Sequence, residues 1–135
     1  MREYLKEKTF IRFPGGECYE ILGMIGDGGS GLIYSAGKVV RQGEDYVKEN
    51  SLRFALKECY PISRQFSFLR MQSGEIVPEN ESEAAANYLR CVASMQLNEG
   101  QMTSEIYDSE AIRLIPIQRI ASSVEISFDK GQHFH

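Results

Sequence analysis

The sequence predicts an α+β domain: about five strands in an antiparallel sheet, packed on one long helix and carrying an inserted hairpin. Three observations point there. Runs rich in β-branched and aromatic residues recur at Tyr19–Ile25, Leu32–Ala36 and Leu52–Tyr60. A single stretch, from about Glu81 to Tyr107, carries helical periodicity. Two short apolar runs, Ala111–Ile117 and Val124–Phe128, follow it. The order is strand, strand, strand, helix, strand, strand, with no internal repeat and no low-complexity tract.

Each element has its own signal. Residues 1–18 read as an N-terminal extension, charged and weakly patterned, ending in the turn Phe13-Pro14-Gly15-Gly16. The first two strands are joined by Gly26-Asp27-Gly28-Gly29-Ser30-Gly31 into a hairpin, and Val39 and Val40 extend the second. Residues 37–51 read as a long surface connection. Pro61 stops the third strand. Phe66–Met71 and Glu75–Val77 flank Gln72-Ser73-Gly74, an accessory hairpin. Asn80 or Ser82 caps the helix, whose apolar positions are Ala85, Leu89, Val92, Met95, Met102 and Ile106. Glu99, four residues past Met95, falls on that same face, and Gly100 is the one candidate break.

Composition narrows the function. The 135 residues suffice for one domain and are short for two. With 42% hydrophobic and 25% charged residues, disorder and fibrous repeats are excluded. A net charge of −4 argues against a nucleic-acid partner. No apolar run reaches the roughly 18 residues of a membrane span, and Met1–Lys8 lacks the apolar core of a signal peptide. The expectation is a cytoplasmic protein with no nucleic-acid or membrane partner. Cys18, Cys59 and Cys91 form neither a disulfide framework nor a zinc pattern, and are expected as reduced thiols packed as small hydrophobes. His133 and His135 lie on a tail, residues 132–135, expected to fray, which leaves Ser-His or Cys-His catalysis without support. No metal site is expected.

The glycine cluster matches G-x-G-x-x-G at Gly26, Gly28 and Gly31. Leu32-Ile33 stand where a Walker loop needs Lys-Ser/Thr, and they favour a strand where a dinucleotide-binding loop must open a helix. What remains is a glycine hairpin between antiparallel strands, whose backbone N–H groups can approach phosphates unobstructed. Lys57 and Ala55 share one face of the third strand, with Phe54, Leu56 and Glu58 on the other. A carboxylate buried at Glu99 costs several kcal/mol unless paired, and the strand lysine is its natural partner. The plainer alternatives are a surface lysine and a glutamate exposed beside a helix break.

In this combination the chain resembles the N-terminal lobe of a bacterial serine/threonine protein kinase. Ile25-Gly26-Asp27-Gly28-Gly29-Ser30-Gly31-Leu32-Ile33-Tyr34 is similar to the family's I-G-x-G-G-x-G-x-V-Y. Ala55-Leu56-Lys57 is similar to A-x-K, the Glu99 helix to the lobe's long helix, and Ile126–Gly131 to the last strand and hinge. The likeness spans roughly residues 19–131.

The resemblance implies a kinase N-lobe-like fold and an ATP site. In it, Lys57 and Glu99 form the catalytic ion pair, and the backbone of Gly26, Gly28, Gly29, Ser30 and Gly31 covers the phosphates. Ile25, Ile33 and Ala55 pack on adenine, with Ile126 at the back and the backbone of Ser127 to Asp129, Phe128 included, bonding the base. The Gly31–Lys57 interval is longer than the family's, residues 62–80 are extra, and Ser30 and Ser127 replace an aromatic and an acidic residue. No H-R-D-x-x-x-x-N or D-F-G follows Phe128, so the catalytic base and magnesium ligands are missing. The implied function is the nucleotide-binding lobe of a kinase-like phosphotransferase, inert alone, binding ATP weakly, with magnesium only if a C-lobe is present. Its partners would be that missing lobe or another protein, with an exposed lobe surface open to self-association. The alternative is a non-catalytic protein-interaction module on the same fold.

Overall fold

The computed structural model describes residues 2–102, 113–119 and 124–135, and within them all side chains except those of 50–52, 97–102 and 113. In chain order the elements are β1 (Phe10–Arg12), β2 (Cys18–Asp27), β3 (Gly31–Gln42), β4 (Asp45–Cys59), β5 (Phe68–Arg70), β6 (Ile76–Pro78), α1 (Glu83–Met102), β7 (Arg113–Ile117) and β8 (Glu125–Ser127). Among the described residues six strands form one curled sheet in the order β7-β4-β3-β2-β1-β8, and β5 with β6 forms a separate two-stranded hairpin.

Strand alternation sends Ile11, Tyr19, Ile21, Tyr34, Leu56 and Ile126 to one side, where they form the main core with 2% exposure or less. The opposite side of β4 carries Ala55 and Cys59, and α1 packs at its end through Leu89 and Ala93 against Cys59. Ser82 caps α1: its hydroxyl accepts from the Ala85 N–H and its carbonyl from the Ala86 N–H.

Several expectations are corrected. Against an antiparallel sheet of about five strands, the described residues form six, and the sheet is mixed because β7 returns parallel to β4 through the α1 crossover. The supposed extension contributes β1, which lies between β2 and β8, and buries Leu5. Residues 37–51 are an arm rather than a loose connection: β3 and β4 continue through a two-residue turn at Gly43-Glu44, where Gly43 takes the left-handed φ of +67°. Along α1 the buried stripe is Ala85, Leu89, Ala93 and Gln96. Met95 is 62% exposed, since the small Ala93 lets the helix seat one position round. The helix runs unbroken through Gly100, while Ile106 and the rest of residues 103–112 lie outside the described residues.

The tail is tied down rather than frayed. His135 and Ile126 exchange backbone hydrogen bonds, and Arg12 stacks 3.8 Å above the Phe134 ring. The accessory hairpin is present as β5 and β6. Among the described residues no helix is long and apolar enough to cross a membrane.

Candidate functional site

The glycine turn is organised by its carbonyls. Arg2 Nη1 donates to Gly28 O at 2.7 Å, Ile62 N to Gly29 O at 2.8 Å, and Tyr60 N to Ser30 O at 3.2 Å. Gln96 Nε2 donates to the same Ser30 oxygen at 2.8 Å, and Gly28 N closes the turn on Gly31 O at 3.0 Å. Arg2 also pairs with Asp27. In a trans peptide the C=O and the following N–H point opposite ways. Holding Gly28 O and Gly29 O inward therefore turns the Gly29 and Ser30 N–H groups outward, where they meet no acceptor among the described residues.

The glycines differ in why they are glycine. A Cβ on Gly31 would stand 2.0 Å from the Glu58 carbonyl oxygen, so β3 and β4 demand it. A Cβ on Gly26 would press on Ile33 at 3.2 Å. Gly29 has nothing within 4 Å of such an atom, and Gly28 only an oxygen at 3.9 Å. Neither adopts a left-handed φ. Nothing inside the fold requires them.

Register supplies the floor. Gly26, Ile33, Lys57 and Pro116 lie in one cross-strand row, and Gly23, Ser35, Ala55 and Leu114 in the next row on that face. Gly31 pairs with Cys59, so Lys57 lies one same-face step, about 7 Å, from the strand position beneath the turn. Lys57 is half-buried, and Ala55 fully so. Burial, with the charge of Glu58, pushes the Cys59 thiol up to about 12 against the opposing pull of the Lys57 ammonium.

The structure thus brings together Gly26, Gly28, Gly29, Ser30, Gly31, Ile33, Ala55 and Lys57. Ile25 lies at a β2 irregularity and is 53% exposed. The side chain of Glu99, and with it the Lys57–Glu99 pair, lies outside the described residues. Ile126 and Phe128 are not brought to the site. β8 pairs with β1 at the far edge of the sheet; Ile126 enters the core that Leu56 faces, on the opposite side of β4 from Ala55, and Phe128 packs beside His135.

Sequence reasoning missed the buried clasp. Arg70 grips Glu58 with two bonds of 2.8 and 2.7 Å, and both side chains are at most 5% exposed. Arg70 also donates to the Glu3 and Gly74 carbonyls, and Tyr34 Oη donates to Glu58 at 2.9 Å while accepting from Leu5 N. Burial works to lower the Arg70 pKa, but the hydrogen bonds and charge of Glu58 outweigh it and raise it. Burial and the Glu58 carboxylate keep the Tyr34 phenol far above its ordinary value. The available signal was Glu58 itself, a charge on the Phe54-Leu56 face.

No family model, curated protein or solved structure matches the chain. The site rests on its geometry: two outward N–H groups, two unencumbered glycines and a strand ammonium on the adjoining face, an arrangement suited to a multiply charged oxyanion.

Proposed function

We propose that the chain is the nucleotide-binding lobe of a serine/threonine protein-kinase-like protein, taking the phosphates of ATP at the Gly28–Ser30 turn with Lys57 as the cation. The observation that carries this reading is the pair Gly28 and Gly29: their φ angles and their surroundings leave the fold no use for glycine there, whereas close approach of a phosphate to backbone N–H groups gives one. The phosphate half of an ATP site fits these residues. The adenine half, as drawn on Ile126 and Phe128, does not, since both sit across the sheet; Ile33 and Ala55 are the apolar neighbours left for the base. Bound ATP would bring the transferable phosphoryl group, and this chain's residues orient and neutralise it.

Lys57→Met tests it. Titration calorimetry of the full chain with ATP and with sodium tripolyphosphate should show weak binding that falls about tenfold or more in the variant, at a temperature where circular dichroism shows both proteins folded. Equal binding by both proteins, or none by the wild type, ends the reading. A second reading, a non-catalytic interaction module, draws on Met71 and Met95, which stand 49% and 62% exposed on the hairpin and helix faces expected to meet a partner.

A further inference from the structure

Gln96 is a polar residue in an apolar place. It is 1% exposed and continues the stripe that Ala85, Leu89 and Ala93 begin. Its Oε1 is buried with no hydrogen-bond partner among the described residues. Half an amide left unpaired in the interior costs stability that a leucine there would not. Its other half, Nε2, donates to a distant part of the chain, the Ser30 carbonyl of the glycine turn. Gly31 makes the junction tight: a Cβ there would stand 3.2 Å from Gln96 Nε2.

Arg2 holds the other end of the turn. Its side chain is only 10% exposed, and Nη1 contacts the carbonyls of Gly28, Gly31 and Tyr60 while Nη2 takes Asp27. The first peptide plane of the turn is therefore set by the N-terminal segment and the last by α1. The N–H groups of Gly29 and Ser30 lie between these two anchors.

We propose that Gln96 and Arg2 are positioning residues which fix the phosphate-facing conformation of the turn, so that the seating of α1 and the aim of the Gly29 and Ser30 N–H groups are coupled. Its ligand side rests on the phosphate reading above; its structural side does not. A helix that withdraws takes the Gln96 donor with it, and the Ser30 carbonyl then keeps, among the described residues, the longer Tyr60 N–H bond. Coupling of this kind is reciprocal: an anion that orders the turn also steadies the helix.

Amide hydrogen exchange of the full chain, read by NMR with and without sodium tripolyphosphate, tests it. Gln96→Leu preserves the bulk and removes the donor. It should speed exchange at Gly28 and Ile62 about fivefold and weaken tripolyphosphate by a similar factor. Lys57→Met should weaken tripolyphosphate while leaving those exchange rates as in the wild type. In the wild type, saturating tripolyphosphate should slow exchange in α1 around Val92–Gln96. Wild-type exchange rates at Gly28 and Ile62 in Gln96→Leu overturn the inference. Should that variant not fold, Arg2→Met decides: faster exchange at Gly28 supports the inference and an unchanged rate overturns it. If tripolyphosphate does not bind at all, it is the phosphate reading that fails, and the exchange comparison without ligand still decides the role of the two anchors.

Discussion

Around Glu58 the polar groups are joined to one another: both carboxylate oxygens are held by Arg70, one also by Tyr34, and Arg70 makes four hydrogen bonds among the described residues. At the glycine turn, one peptide away from Glu58 across the β3–β4 ladder, the carbonyls are held and two N–H groups face out. Both regions are built on backbone and charge, yet one is closed on itself and the other is left half complete. A closed cluster joins parts of the fold: the clasp ties the N-terminal segment, β4 and the accessory hairpin together. An incomplete one leaves hydrogen-bonding groups open, which is the ground of the phosphate proposal.

The contrast can be broken most sharply at Arg70. Arg70→Leu strands the Glu58 carboxylate in the interior and should cost about 3–5 kcal/mol in urea unfolding. Replacing Arg70 by Met and Glu58 by Leu together should recover a large part of that loss. A single variant within about 1 kcal/mol of wild type would mean the clasp is not closed as described.

Next in size is the pair of glycines that look alike in sequence. Gly31→Ala must push β3 from the Glu58 carbonyl and should destabilise by about 2 kcal/mol or more, while Gly29→Ala should stay within about 0.5 kcal/mol. Equal effects at both would erase the distinction between a glycine the fold needs and one it does not.

The smallest effect belongs to the tail. The N–H and ring of His133, then the Ser127 hydroxyl, hold the Asp129 carboxyl below the usual carboxylate range. A carboxyl lowered in the folded state contributes stability above its unfolded pKa of about 3.9, and that contribution is lost as pH falls from there through the folded value. Exchange at His135 N, which bonds Ile126 O at 2.9 Å, should therefore rise relative to the core in that acid window. Exchange at His135 N that stays level with the core throughout that acid window would assign the tail's order to another group.

Local signals were legible where periodicity and turn chemistry act alone. The glycine hairpin, the Lys57 strand, the accessory hairpin and the start of α1 follow from Gly26–Gly31, Phe54–Lys57, Gln72–Gly74 and Ser82. The rest depends on partners remote in sequence. Phe10–Arg12 is too short to announce a strand and becomes one because Cys18–Glu20 and Glu125–Ser127 flank it. Met95 and Ala93 both fit a helical stripe, and only the approach of Cys59 selects the smaller. The outward N–H groups were foreseeable from the glycines. Arg2 and Gln96, which aim them, were not, because nothing nearby in the chain says what a lone arginine or a buried glutamine will reach.

The pairing of β1 with β8 sets a constraint on how the chain reaches this state. β1 leaves the ribosome long before β8, so its outer edge waits with bare amide and carbonyl groups while the rest of the sheet assembles. Contacts at such separation form slowly, and an open edge in the interval is a template for a neighbouring nascent chain. Synthesis halted before Val124 would make that interval permanent, and the product should be recovered mainly as aggregate.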